Sequence, residues 1–146
     1  MTMISRLTGP VILLVCASLV LLTACSAGGG PAIDGTRNWF QALADLRLDD
    51  VLKLTCSNPR VRNAIELKLE PFAELKDALQ SLKGQFDFSG LKFEEKSNDG
   101  KTAAIHLSGK MLLRALGQSQ ALDVFEDIPV VNENGVWKVC ANPLDM

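Results

Sequence analysis

The hydrophobic pattern of the chain changes its period at Gly84. Before this residue, from about 36 to 83, apolar side chains recur every three or four positions, which is typical of amphipathic helices. After it, from about 85 to 140, apolar and polar residues alternate, which is typical of strands with one buried face. Helices that come first and strands that come last predict an α+β domain, with three N-terminal helices packed on a four-stranded antiparallel sheet.

The clearest helix is predicted over 36–54, with Asp34 or Thr36 as the cap that accepts its first N–H groups. Apolar residues recur along it mostly at helical spacing, and polar residues fill the other side. The charges on that side are mixed rather than rich in lysine and arginine, so a core-facing helix is favoured over a membrane-surface helix. The apolar residues are Trp39, Phe40, Leu43, Leu46, Val51, Leu52 and Leu54.

Two shorter helices are predicted to follow. Asn58 is the expected cap of the second helix, and Pro59 takes its first position. Proline is tolerated there because an N–H at this position would have no acceptor within the helix. Pro71 is expected to interrupt this helix, because proline removes a donor and disfavours helical geometry in the residue before it. The third helix is predicted over 71–83, and Gly84 is its expected left-handed terminator.

Four strands joined by short turns are predicted after the helices. The alternation slips at Ser89-Gly90, which indicates a bulge or a bend in the first strand. Asparagine and glycine readily adopt the positive φ of hairpin turns, so their clusters mark the turns of this sheet. The predicted turns are Asn98-Asp99-Gly100, Gly117-Gln118-Ser119 and Asn134-Gly135, and the last two strands are 121–132 and 136–140.

The first 25 residues resemble a bacterial lipoprotein signal. One cation, Arg6, precedes an apolar run over 11–22, which ends in the lipobox Leu22-Thr23-Ala24-Cys25. The run is shorter than the roughly 20 apolar residues that a spanning helix needs. The resemblance implies removal of residues 1–24, a lipid on Cys25, a flexible linker over 25–33 and a single domain over 34–146. An uncleaved anchor and a soluble secreted protein are the alternatives.

Charge and cysteine content narrow the classes of function. Loss of residues 1–24 leaves 14 lysines and arginines against 17 aspartates and glutamates, a net charge of −3, so a nucleic-acid partner is not expected. Cys16 leaves with the signal and Cys25 carries the lipid, so Cys56 and Cys140 remain. One disulfide between them is expected in an exported protein, and two buried free thiols are the alternative. One histidine and two distant cysteines do not make a metal site, and no cofactor is expected.

Two residues are candidates for acid–base catalysis. His106, the one histidine of the chain, lies on the polar face of its predicted strand, where a partly exposed sheet histidine is the favoured interpretation. Glu126 shares the parity of the apolar residues around it, and a buried carboxylate would have a raised pKa; a strand with slipped phase is the alternative. Six aromatic residues are expected to line either the core or a pocket: Trp39, Phe86, Phe88, Phe93, Phe125 and Trp137.

The region 34–141 resembles the cystatin-like cone of the nuclear-transport-factor-2-like superfamily, and within it a set of small bacterial lipoproteins. The resemblance is carried by Trp39-Phe40-x-x-Leu43, Cys56 and Gly135-Val136-Trp137-Lys138-Val139-Cys140. It implies a strongly curved sheet, and the Cys56–Cys140 disulfide fits this fold because the last strand lies against the end of the first helix. It also implies homodimers through the sheet face. The family includes isomerases, dehydratases and binding modules. A ketosteroid-isomerase-like site uses a tyrosine, and this chain contains no tyrosine.

These features together predict an extracytoplasmic lipoprotein of the bacterial envelope, anchored to an inner or an outer membrane through Cys25. We expect its domain to be a non-catalytic binding or protein-interaction module. Its partner would be another envelope protein or a small apolar ligand. An isomerase- or dehydratase-like enzyme that uses His106 or Glu126 is one alternative, and a purely structural role in the envelope is another.

Overall fold

The structure is a computed structural model that describes residues 29–145. This part of the chain is an α+β domain, in which helices cover a curled antiparallel sheet. The predicted fold class is confirmed at this level, whereas several helix bounds differ from those predicted. The helices are α1 (Pro31–Ala44), α2 (Leu48–Lys53), α3 (Pro59–Ser81) and a terminal 3₁₀ turn (Pro143–Asp145), and the strands are β1 (Gln85–Asp87), β2 (Leu91–Asn98), β3 (Thr102–Ala115), β4 (Gln118–Glu133) and β5 (Val136–Val139).

Strand β3 lies in the middle of the sheet. Both β1 and β2 pair with one edge of it, β4 pairs with the other edge, and β5 pairs with β4. The break between β1 and β2 confirms the bend predicted at Ser89-Gly90. Gly109 of β3 faces this break with a φ of +123°, and a Cβ there would overlap the carbonyl oxygen of Gly90. The predicted meander is therefore present with its first strand bent into two segments.

The turns confirm two of the three predicted positions and shift the third. Strands β2 and β3 are joined around Asn98-Asp99-Gly100, and β4 and β5 are joined at Asn134-Gly135, where both residues have positive φ. The third turn is Leu116-Gly117, with φ values of 52° and 75°. Strand β4 consequently begins at Gln118, earlier than predicted. The sequence does not predict this turn, because leucine rarely adopts positive φ.

The core lies between α1 and the inner face of the sheet. The Trp39 ring is fully buried there, and its Nε1–H donates to Thr55 Oγ1 at 3.0 Å, so the polar group of the indole has a partner. Gly35 lets α1 approach β5 closely, since a Cβ at this position would lie 2.6 Å from the carbonyl oxygen of Trp137. The large side chains that fill the rest of the core are Val51, Ile65, Ile105, Leu107, Ile128, Val130 and Val139.

Helix α1 begins earlier than predicted. It starts at Pro31, after Gly30 as the N-cap, and Ala32 and Ile33 are buried within it. The last residues assigned to the linker are therefore helical, because their apolar side chains extend the buried stripe of α1. The predicted cap residue Thr36 lies inside the helix instead, where its Oγ1–H donates to the carbonyl oxygen of Ala32 at 2.9 Å. The lipobox, Cys25 and linker residues 26–28 lie outside the described residues.

The single helix predicted over 36–54 is wrong, because the chain breaks between α1 and α2. Leu46 adopts the left-handed region with a φ of 54°, its N–H donates to the carbonyl of Leu43, and the N–H of Arg47 donates to the carbonyl of Ala42. These two bonds satisfy the free carbonyls of α1 in a Schellman motif. A leucine in this region costs about 1–2 kcal/mol. The buried position of Leu46 offsets that cost, since burial of its side chain contributes about 1.5–3 kcal/mol.

The interruption predicted at Pro71 is also wrong, because α3 runs through this residue from Pro59 to Ser81. Pro71 has no N–H to donate to the carbonyl of Leu67. Both residues are exposed, so water can bind that carbonyl instead. The cap at Asn58 is confirmed, with its Oδ1 accepting from the Arg60 N–H at 3.0 Å.

Gly84 does not supply the left-handed end of α3. The left-handed residue is Lys83, with a φ of 51°, and Gly84 follows it as the donor that reaches back to the carbonyl of Leu79. A Cβ on Gly84 would lie 2.6 Å from Leu79 Cδ2, which can move, and 3.1 Å from the carbonyl oxygen of Leu79, so glycine eases a close approach here and does not supply a positive φ.

A disulfide joins Cys56 and Cys140, as predicted, with the two Cα atoms 5.1 Å apart. Cys56 follows α2, and its N–H donates to the carbonyl of Val139 at 2.9 Å. Thr55 forms a parallel bridge with Val139, so the segment after α2 extends the sheet beside β5. The disulfide therefore fastens the segment between α2 and α3 to the end of the last strand.

Candidate functional site

The six aromatic residues predicted to line a core or a pocket occupy three separate places. Trp39 and Trp137 are buried in the core. Phe86, Phe88 and Phe93 surround a cleft between α1 and the β1–β2 edge of the sheet. Phe125 lies on the opposite, outer face of the sheet and is 82% exposed. The structure thus brings three of the six together and separates the other three from them.

The cleft beside α1, here called the aromatic cleft, has a volume of about 390 Å³. The Phe40 ring of α1 forms its floor, with ring centroids 5.4 Å from Phe88 and 6.0 Å from Phe93. The guanidinium of Arg37 lies over the Phe93 ring at 5.2 Å, as in a cation–π contact. Gln41 and Asp45 add polar groups to the lining. The cleft therefore combines aromatic rings with polar and charged side chains in about equal number, which suits a small ligand that has both an apolar part and polar groups.

The outer face of the sheet is centred on Phe125. Its ring meets the His106 ring edge-on, with centroids 4.6 Å apart, and His106 Nδ1 lies 2.6 Å from Asp127 Oδ1. Lys110 and Asp123 form an ion pair at 3.4 Å on the same face. Cross-strand pairing explains this grouping, since His106 is directly opposite Asp127 and Lys110 is directly opposite Asp123. Charged and polar side chains thus lie beside an exposed aromatic ring on this face.

The two candidate catalytic residues face opposite sides of the sheet. His106 belongs to the outer face, as its alternation predicted, with its side chain 13% exposed. Glu126 is directly opposite the fully buried Leu107, so it lies on the inner face, as its parity predicted. The backbone of β3 and β4 separates the two side chains, and they share no cavity in the part of the chain that the structure describes. They cannot act together on one substrate.

Two of the described carboxylates whose pKa is lowered, Asp99 and Glu133, fasten turns and ends of strands. The backbone N–H groups of Thr102 and Lys101 hold the pKa of Asp99 below its ordinary value in the β2–β3 turn. The backbone N–H of Ser57, which lies 2.7 Å from Glu133 Oε1, lowers the pKa of Glu133 in the same way. Both shifts stabilise the ionised form. These two groups are accordingly structural anions rather than proton donors at neutral pH.

Sequence reasoning missed a second apolar surface, on the helical side of the domain. A groove of about 610 Å³ runs between α2 and α3, and Leu67 at its side is 70% exposed. Leu67 is out of phase with the buried Ile65 and Leu69 and lies between two charged residues, Glu66 and Lys68. This position in the sequence is the signal that could have indicated an exposed leucine. Its exposure depends on where α2 packs, which the sequence pattern alone does not give.

Comparisons with known proteins leave the chain without a family assignment. A comparison with protein-family models finds no match, and a comparison with curated proteins finds no similar sequence. Within residues 29–145, no group of three or more histidine, cysteine or acidic side chains is placed to hold a metal ion. No helix in the same range has the length and apolar content to cross a membrane.

Proposed function

We propose that this chain is a lipid-anchored protein of the bacterial envelope, and that its domain is a non-catalytic protein-interaction module. The outer face of the sheet binds the partner, which is another envelope protein or a second copy of the chain. Residues 1–24 are the signal peptide, and Cys25 carries the lipid on the extracytoplasmic side. The Cys56–Cys140 disulfide supports this location, because disulfides persist in oxidising compartments.

The observation that carries the proposal is the exposure of Phe125. Phe125 is the most exposed large apolar side chain in the described range, and aromatic residues are among those that dominate binding energy at interfaces. Complete burial of this ring in a complex would contribute about 1.5–3 kcal/mol. The hydrogen bond between His106 and Asp127 and the ion pair of Lys110 with Asp123 lie beside the ring, which is the arrangement of an apolar anchor with a polar rim.

The domain fold is proposed to be the cystatin-like cone of the nuclear-transport-factor-2-like superfamily. The curled sheet and the burial of α1 against it support this assignment. The bend of the first strand at Gly90, which Gly109 of β3 faces, also supports it, since bends of this kind allow a sheet to curl. The helices before the sheet differ in their bounds from those expected, because α1 and α2 are separate and α3 is continuous.

A non-catalytic role is supported by the separation of the two candidate catalytic residues. Acid–base catalysis needs its groups within hydrogen-bond reach of one substrate, directly or through a water molecule. His106 is engaged by Asp127 on an open, outward face, and Glu126 lies on the other side of the sheet. The outward face on which His106 lies is not a closed site that excludes water.

The aromatic cleft favours a second candidate function, the binding of a small ligand that has both an apolar part and polar groups. Its volume of about 390 Å³ lies in the range of small-molecule sites. Phe40, Phe86, Phe88 and Phe93 supply stacking surfaces for such a ligand. Native mass spectrometry of the full chain from its native host tests this function, since a bound ligand adds a mass that disappears on denaturation.

The interaction function is tested by Phe125→Ser in the full chain, produced in its native host and extracted with mild detergent. Leu116→Ser is the matched control, because Leu116 is 73% exposed at the β3–β4 turn and lies outside the proposed surface. We expect sedimentation to detect a complex larger than the monomer for the wild type and the control, and its loss in Phe125→Ser. An equal complex in all three proteins would refute the proposed surface.

A further inference from the structure

A groove on the helical side of the domain, here called the leucine groove, is bounded by α2 and α3. Leu48 and Leu52 of α2 form one wall, and Leu67 of α3 forms the other. Leu69 closes the floor and is nearly fully buried. This surface is on the helices, whereas the surface of the proposed function is on the outer face of the sheet, so the two can be tested independently.

The residues of α3 that line the groove recur at the spacing of one helix face. Asn63, Glu66, Leu67, Glu70 and Ala73 all contribute to it. At 1.5 Å per residue, the stretch from 63 to 73 is roughly 15 Å long, which equals about three turns of a helix. The groove therefore has the length to hold a short amphipathic helix in the helix-in-groove mode of recognition.

The charge of the groove has one sign. Asp49, Glu66 and Glu70 lie on its rim, and no lysine or arginine belongs to the lining. None of these three carboxylates takes part in an ion pair with another residue of the described range. An apolar floor with an acidic rim is complementary to a segment that carries leucine-like side chains on one side and lysine or arginine on the other.

We infer that the leucine groove binds a basic amphipathic helix of a partner protein. The apolar side of that helix covers Leu48, Leu52 and Leu67, and its lysines or arginines lie against the acidic rim. The same charges disfavour the surface of a membrane with anionic lipids, because like charges repel, although the domain is proposed to be tethered near a bilayer. The charge of the rim thus selects a protein segment over the lipid surface.

The test uses the full chain in nanodiscs of phosphatidylcholine and a labelled helical peptide as the probe. The peptide carries leucine at positions i, i+3, i+4 and i+7 and lysine elsewhere, and a second peptide has glutamate in place of lysine. Fluorescence anisotropy measures both affinities, and empty nanodiscs give the background of lipid binding. We expect saturable one-to-one binding of the basic peptide, and affinity at least about tenfold lower for the acidic peptide.

Two pairs of variants separate recognition by the groove from attraction by net charge. Glu66→Lys with Glu70→Lys reverses the rim, and Glu74→Lys with Asp77→Lys makes the same change in net charge on exposed positions of α3 outside the groove. We expect the rim pair to lower the affinity about tenfold and the control pair to lower it less than about threefold. Equal losses in both pairs, or no saturable binding of the basic peptide, would overturn the inference.

A second comparison tests the apolar floor. Leu67→Ser is expected to weaken binding of the basic peptide about tenfold, since it removes an exposed anchor, whereas Leu116→Ser leaves it unchanged. Phe125→Ser is also expected to leave it unchanged, so failure of the sheet-face proposal and failure of this one are distinguishable. If the complex formed by Leu67→Ser instead has half the mass of the wild-type complex, and peptide binding is unaffected, the groove holds a second copy of the chain and the inference is wrong.

Discussion

Loss of the Cys56–Cys140 disulfide is expected to be among the most damaging changes to this domain. The two residues are separated by 84 positions, so the bond closes a long loop in the unfolded chain. The chain-entropy relation for a loop of this length gives about 4.5 kcal/mol at 25 °C, and measured losses for native disulfides are about 2–5 kcal/mol. We expect the double variant Cys56→Ala with Cys140→Ala to lose stability in the upper half of that range.

Unfolding of the full chain in urea, followed by tryptophan fluorescence in detergent, measures this loss. Trp39 and Trp137 are both buried and belong to the core, so their emission reports on the folded state directly. Reduction of the wild type with dithiothreitol is expected to produce a similar loss, and the same treatment is expected to leave the double variant unchanged. A loss below about 1 kcal/mol would refute the reasoning, because the bond would then constrain little of the unfolded chain.

Two further changes test how the elements are held together. Gly35→Ala is expected to lower the free energy of unfolding by about 1–3 kcal/mol, because its Cβ meets the backbone of Trp137. Asn38→Ala, at an exposed position of the same helix, is the control, and equal stability of the two variants would contradict the close packing of α1. Glu133→Gln is expected to be less stable than the wild type at neutral pH. Its folded-state pKa is lowered, chiefly by Ser57, so the contribution of Glu133 is complete above the ordinary pKa of 4.5 and disappears as the pH falls through the lower folded value. Urea unfolding of both proteins between pH 7 and pH 3 measures the difference, and a difference that grows as the pH falls would contradict it.

The hairpins of the sheet could be predicted because their chemistry is local. Asn134-Gly135 supplies two residues that accept positive φ, and the structure places the β4–β5 turn there. The Leu116-Gly117 turn was placed too late because its first residue is a leucine. Nothing in a leucine side chain predicts positive φ, and the pairing of β3 with β4 on both sides of the turn imposes it.

The helix bounds were harder to predict because tertiary packing decides them. The period of apolar residues continues through Leu46, yet the left-handed conformation of that leucine ends α1 and turns the chain into α2. At Pro71 the opposite occurs, since a residue that normally ends a helix is tolerated on an exposed face. Both outcomes depend on which side of the helix faces the core.

The candidate surfaces were partly visible in the sequence. Phe125 shares the parity of Asp123 and Asp127, so strict alternation places it on the polar face, where the structure has it. Its grouping with the other aromatic residues as pocket lining followed residue type rather than phase. The leucine groove could not be predicted, because Leu48 and Leu67 come together only through the packing of α2 on α3.

The central claim, that the outer sheet face binds a protein, is tested most directly by photo-crosslinking in the native envelope. A benzoyl-phenylalanine at position 125 replaces one aromatic ring by another, and the same group at position 116 gives an equally exposed control. We predict a discrete adduct at position 125, either with a second copy of the chain or with one envelope protein, and none at position 116. No adduct at position 125, or identical adducts at both positions, would contradict the claim.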